Sequence, residues 1–137
     1  MEITTRSALC ALFFLHGLVH VIGFIGPLDL VPSAPFELTW FGRKVVHASP
    51  LAWSVSALWL STAFAYAVAS IAVFTQATWW IPFTSVITLA SLALCLTAVP
   101  ASKVGVMVDG LILLILFGLQ HTQLWRDLLA LIRVLPF

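Results

Sequence analysis

The sequence predicts an all-α membrane protein, in which residues 1–137 form a single up-and-down bundle of four transmembrane helices. Hydrophobic residues make up 62% of the chain and charged residues only 8%, whereas about 25% of the residues of a soluble domain are charged. Four apolar runs each approach the length of about 20 residues that a helix needs to cross a bilayer. The composition therefore excludes an ordinary soluble enzyme. It also lacks the basic patch of a nucleic-acid-binding protein.

The predicted spans have clear boundaries in the sequence. They cover residues 7–25, 51–74, 79–99 and 104–125. Gly26 and Pro27 end the first span, Pro50 precedes the second and Pro100 closes the third. Each span is predicted to be a helix, because backbone polar groups must be paired within lipid. The links between spans two and three and between spans three and four are short, so these neighbours are predicted to be antiparallel.

The first loop and the C-terminal tail are predicted to lie at the membrane interface. Prolines break the start of the loop, and Trp40, Arg43 and Lys44 follow, which is a composition typical of the headgroup layer. The loop is predicted to form either a short interfacial helix or a segment folded over the mouth of the bundle. The tail, residues 126–137, combines two arginines with apolar residues and is predicted to lie on the membrane surface.

The two membrane faces carry equal numbers of basic residues, so the orientation of the chain in the membrane is nearly undecided. We name the membrane face that holds both termini side A and the opposite face side B. Three basic residues fall on each side, Arg6, Arg126 and Arg133 on side A and Arg43, Lys44 and Lys103 on side B. The arginines of the tail favour cytoplasmic termini, although the positive-inside rule needs an excess on one side.

The polar residues within the spans indicate a candidate site. His16 and His20 are four residues apart and share one face of the first helix. Asp109 is the acidic residue of the fourth span, and its axial depth matches that of His20, about 9 Å from side B at 1.5 Å rise per residue. The first and last spans of such bundles are commonly neighbours. An acid that faces lipid is costly, so Asp109 is predicted to point inward. At its depth it is predicted to bond His20 first or His16 second, with His47 of the loop on the same side.

Several chemistries suit these residues. His16, His20, Asp109 and His47 form a workable ligand set for a divalent metal such as iron, zinc or manganese. The first three could also act as catalytic acids and bases or relay protons. A single Asp–His hydrogen bond could instead serve packing only. Haem is disfavoured, because His16 and His121 differ in depth by about 10 Å. The sequence leaves open whether the protein is an enzyme.

Other intramembrane polar residues are predicted to serve packing. Span three carries one stripe of small polar side chains, namely Thr84, Thr88, Ser91 and Cys95. Such stripes usually face other helices. Trp59 and Tyr66 lie inside span two and are also assigned to packing, although the hydroxyl of Tyr66 needs a partner. Cys10 and Cys95 are predicted to lie near opposite membrane faces and not to form a disulfide.

Two segments resemble a known group of proteins. The run from Leu15 to Phe24, LHGLVHVIGF, is similar to the first span of small bacterial four-helix membrane proteins, some of which carry a loose permease label. The segments SKVG (102–105) and DGLI (109–112) are similar to the start of their last span. The layout resembles DoxX-type proteins more distantly. The resemblance implies a four-helix fold in a bacterial inner membrane and no established activity.

Two functions follow from these features. The first is a buried His/Asp site near one membrane face that binds a small hydrophobic ligand, a proton or a metal. The second is a non-catalytic accessory or structural subunit of a larger membrane complex or a homo-oligomer. Intramembrane glycines would then permit close helix approach, namely Gly17, Gly23, Gly110 and Gly118. A cavity that touches the histidines would favour the first function.

Overall fold

The computed structural model describes residues 2–30, 39–99 and 101–134, with side chains described up to residue 123. Its four helices are α1 (Ile3–Ile25), α2 (Pro50–Phe74), α3 (Trp80–Thr97) and α4 (Lys103–Val134). All four are long and apolar enough to cross a membrane. The predicted all-α four-helix membrane fold is thus confirmed.

Local sequence explains where the helices begin and end. The Ser49 side chain caps α2 by accepting a hydrogen bond from the Ala52 amide at 3.1 Å, and Pro50 occupies the first turn, where its missing amide proton costs nothing. Beyond α1, Gly26–Leu28 form one turn of 3-10 helix. Helix α4 runs past the predicted span end to Val134, because neither glycine nor proline interrupts residues 119–135. The interfacial position of the tail stays a prediction.

The first loop folds against the side-B end of the bundle. Thr39–Trp40 (β1) and Arg43–Lys44 (β2) pair as a two-stranded hairpin. Phe41 and Gly42 both have positive φ, as the tight turn of a hairpin requires. The Phe41 amide donates to the Thr97 carbonyl at 2.8 Å, which ties the hairpin to the end of α3. Residues 39–49 of the loop are therefore a folded segment and not a helix, while residues 31–38 lie outside the described residues.

Among the described residues, two apolar clusters form the core, and the polar site lies between them. The side-A cluster is centred on Phe13, Tyr66, Ile112 and Leu116. The side-B cluster contains Leu28, Val45, Val55, Trp59 and Leu94, with Trp40 of the hairpin packed against it.

Helix packing follows chain order and leaves one loose seam. Helix α1 packs on α2, α2 on α3 and α3 on α4, whereas the backbones of α1 and α4 do not approach closely along their length. The α1–α2 contact is tight at Gly17, where an added Cβ would lie 2.9 Å from the Tyr66 Cβ and 3.1 Å from the Ala63 carbonyl oxygen. The backbones of α1 and α4 are thus separated by a gap, and side chains of the two helices meet across it at the candidate site.

Candidate functional site

Asp109 points into the bundle and bonds directly to a histidine of α1. Its side chain is fully buried, and its Oδ1 lies 2.8 Å from the Nε2 of His16. The inward orientation agrees with the prediction that this acid does not face lipid. The predicted order of partners was wrong, because His16 and not His20 makes the direct bond. The rise per residue gives the depth of a residue in the membrane, but it does not give the rotation of a helix about its axis. It also does not show that Ser91 of α3 lies between His20 and Asp109.

The carboxyl group of Asp109 accepts hydrogen bonds on both oxygens. The Tyr66 hydroxyl donates to Oδ1 at 3.0 Å, and the Ser91 hydroxyl donates to Oδ2 at 2.8 Å. Together with His16, these groups surround Asp109 with donors, which is the pattern that stabilises an ionised carboxylate. A buried charge is costly unless it is paired and hydrogen-bonded. These three partners, from α1, α2 and α3, therefore explain how Asp109 of α4 is accommodated.

His20 joins the same network through Ser91. The Ser91 oxygen lies 3.0 Å from the Nε2 of His20. Because Ser91 gives its one proton to Asp109, its oxygen must accept the Nε2 proton of His20, and this network assigns the tautomer. His20, Ser91, Asp109 and His16 thus form a continuous hydrogen-bonded chain across α1, α3 and α4. Such a chain can pass a proton between the two imidazoles and the carboxylate.

Aromatic rings hold the histidines in place. The ring of His20 stacks on Tyr66 with centroids 5.7 Å apart, and its centroid is 5.1 Å from that of Trp59. His16 contacts His20 edge to face at 4.8 Å. Trp59 lies close against α1 because Gly23 has no side chain, and an added Cβ would fall 2.4 Å from the indole. The His20 ring is consequently packed against three other rings.

A mostly apolar cavity of about 260 Å³ adjoins the cluster. Its polar side is formed by His16 and His20, beside Trp59 and Cys95. The remaining wall comes from the facing sides of α1 and α4 and from the turn before α4, namely Val19, Ile22, Gly23, Ala101, Ser102, Val104, Gly105 and Val108.

The cavity lies at the seam between α1 and α4. Val19, Ile22 and Val104 belong both to its wall and to the outer surface of the bundle, with exposed fractions of 53%, 54% and 64%. Lipid would cover this apolar surface in a membrane. The cavity is thus placed so that a lipid-soluble molecule could reach the histidines from the bilayer.

The predicted metal ligands are brought together in part. Ligand atoms of His16, His20 and Asp109 all lie within 4.8 Å of one another, whereas atoms bonded to one zinc ion at about 2.1 Å are at most about 4.2 Å apart. His47 is exposed and is not one of this group, because the hairpin turns Val45 and not His47 inward. The three-residue set suits a metal in its chemistry, but its present geometry is that of hydrogen bonding.

Sequence reasoning missed two residues that bond Asp109 and two that line the cavity. From the sequence, packing is the role predicted for Tyr66, Ser91, Trp59 and Cys95. All four are buried, but Tyr66 and Ser91 also bond Asp109, and Trp59 and Cys95 line the cavity. The available signal was the intramembrane hydroxyl of Tyr66, which had to find a polar partner. The two cysteines are free thiols.

Comparisons of the chain with protein-family models, curated proteins and solved structures return no match. The resemblance to small bacterial four-helix proteins and to DoxX-type proteins therefore stays a prediction. Fold and site together define the class, which is a four-helix membrane protein with a buried His/Asp cluster beside an apolar cavity.

Proposed function

We propose that this protein binds a small lipid-soluble molecule in the cavity beside His16 and His20, near side B of the membrane. The observation that carries the proposal is that one apolar cavity of about 260 Å³ reaches the buried His/Asp network. Ligand sites are typically apolar hollows with a few convergent polar groups. The cavity is slightly smaller than the usual range of about 300–1,000 Å³, so its ligand is small.

The network gives the site a chemistry beyond simple binding. Asp109 is held by His16, Tyr66 and Ser91, and His20 communicates with it through Ser91. A proton released by a ligand at His20 could move to Ser91 as the Ser91 proton moves to Asp109. The site is thus suited to accept or return one proton. The alternative is a divalent metal at the same residues. Native mass spectrometry of the purified protein distinguishes a bound metal from a bound organic molecule.

The structure and the sequence also bear on the route of the ligand and on the location of the protein. The loose α1–α4 seam fits a ligand that arrives from the bilayer and not from water. We propose that the protein lies in a bacterial inner membrane with cytoplasmic termini, because its first span resembles that of bacterial membrane proteins and its tail carries two arginines.

The accessory-subunit alternative is supported by two glycines of α4. An added Cβ at Gly110 or Gly118 would meet nothing within 4 Å, so these positions could receive a partner helix. Gly17 and Gly23, by contrast, are used within the bundle against α2. Co-purification of a stoichiometric protein partner, with no small molecule, would favour this alternative.

Filling the cavity tests the proposed function. Val108 is half-buried and lines the cavity, and Val108→Phe places a ring where the ligand would lie. We expect extraction and mass spectrometry of the purified protein to find a co-purifying compound in the wild type and at least about tenfold less in Val108→Phe. The matched control is Val86→Phe, at a valine of α3 with a 66% exposed side chain, which should retain the compound. Equal amounts in all three proteins would contradict the proposal.

A further inference from the structure

Two buried nitrogens of the cavity residues have no hydrogen-bond partner among the described residues. They are the Nδ1 of His20 and the Nε1 of Trp59. His20 is 1% exposed and Trp59 is 6% exposed, so bulk water does not pair them. An unpaired buried polar atom costs about 1–3 kcal/mol, and such atoms in a native structure call for an explanation. Both residues line one cavity, and their rings lie 5.1 Å apart, centroid to centroid. The two nitrogens themselves are covered, so a ligand reaches them only as the side chains turn.

The hydrogen-bond network fixes what each nitrogen needs. The Nε1 of tryptophan is a donor only. The Nε2 of His20 carries the proton that Ser91 accepts, so the Nδ1 of the neutral ring is an acceptor. A group that satisfies both nitrogens must therefore donate one hydrogen bond and accept another.

We infer that the ligand carries a hydroxyl group, an alcohol or a phenol, which donates to the Nδ1 of His20 and accepts from the Nε1 of Trp59. This inference rests on the proposed function and specifies its ligand class. A hydroxyl does both with a single oxygen, whereas a ketone, an ether or a carboxylate only accepts and leaves Nδ1 unpaired. The apolar remainder of the cavity holds the hydrocarbon part of the molecule.

The same geometry gives the hydroxyl proton a route. Its transfer to Nδ1 of His20 is balanced by transfer of the Nε2 proton to Ser91 and of the Ser91 proton to Asp109. The O–H bond of the ligand breaks, an O–H bond on Asp109 forms, and the negative charge moves from Asp109 to the ligand oxygen. No oxidant or second substrate is needed.

A matched pair of probes tests the hydroxyl. The full chain in mild detergent, with ¹⁵N-labelled tryptophan, is titrated with 4-tert-butylphenol and with its methyl ether, which accepts but cannot donate. The Trp59 indole resonance is assigned by its loss in Trp59→Phe. We expect this resonance to shift at a phenol concentration at least about tenfold lower than that of the ether, since the ether leaves a buried nitrogen unpaired. Val108→Phe should abolish the shift, and Val86→Phe should retain it.

Two results would overturn the inference. One is equal midpoints for phenol and ether, as expected if an ordered water pairs the two nitrogens. The other is the absence of any phenol-dependent shift at Trp59. If either occurs while Val108→Phe still expels a co-purifying compound, the hydroxyl inference fails and the proposed function stands. If Val108→Phe also leaves that compound in place, both fail.

Discussion

Replacing Asp109 by alanine is expected to lower the free energy of unfolding by about 3–5 kcal/mol. The change removes an acceptor of His16, Tyr66 and Ser91 at once. The Tyr66 hydroxyl keeps the Thr88 oxygen as an acceptor at 3.1 Å, whereas the buried donors of His16 and Ser91 lose theirs. Asp109→Asn should cost much less, because the amide oxygen can still accept from His16 and Tyr66 while the amide nitrogen donates to Ser91. Reversible unfolding in mixed detergent micelles measures both variants.

Glu2→Ala is the control for Asp109→Ala. Glu2 is an exposed carboxylate at the start of the chain, so Glu2→Ala should leave stability within about 0.5 kcal/mol of the wild type. If Asp109→Ala were as stable as Glu2→Ala, the hydrogen bonds around Asp109 would contribute nothing to the fold, and the network described above would be wrong.

Gly17→Ala is expected to destabilise the bundle by about 1–3 kcal/mol. The added methyl group would press on the Tyr66 Cβ and on the Ala63 carbonyl oxygen, and a backbone carbonyl cannot turn aside as a flexible side chain can. Helix α1 must then move from α2, which displaces Tyr66 from Asp109. The same unfolding measurement should show the loss of stability, and extraction with mass spectrometry should show weaker retention of the ligand.

Gly110→Ala is the matched control and should have the opposite sign. Nothing lies within 4 Å of a Cβ at Gly110, and alanine is favoured over glycine in a helix by about 1 kcal/mol. Stability of this variant should therefore be unchanged or slightly higher. A loss at Gly110 as large as that at Gly17 would indicate that α4 packs against something other than lipid.

Hydropathy was sufficient to predict the fold, and polarity was sufficient to find the centre of the site. Four apolar runs must be helices in lipid, and a lone acid inside a span must face inward. Asp109 was consequently predicted to lie beside the two histidines of the first span, although His20 was placed first and His16 second. The choice between the two histidines depended on the rotation of α1 and on the position of Ser91. The spacing of residues along a single helix predicts neither.

The rest of the site depended on packing between helices. Trp59 reaches the cavity because Gly23 leaves room for its indole. The hydrophobic periodicity of one helix does not predict such a contact with another helix. The cavity itself exists because α1 and α4 stay apart at the side-B end. A loop folded over the bundle mouth was one of the two forms predicted from its aromatic and basic residues, whereas its hairpin depended on the turn at Phe41 and Gly42.

Native mass spectrometry of the wild-type chain, released from mild detergent micelles, tests most directly whether the cavity is a binding site. We predict an intact complex of the chain with one small organic molecule, without a bound metal ion, and its loss in Val108→Phe but not in Val86→Phe. A bare chain from both the wild type and Val86→Phe, or a chain that carries only a metal ion, would contradict the proposed function.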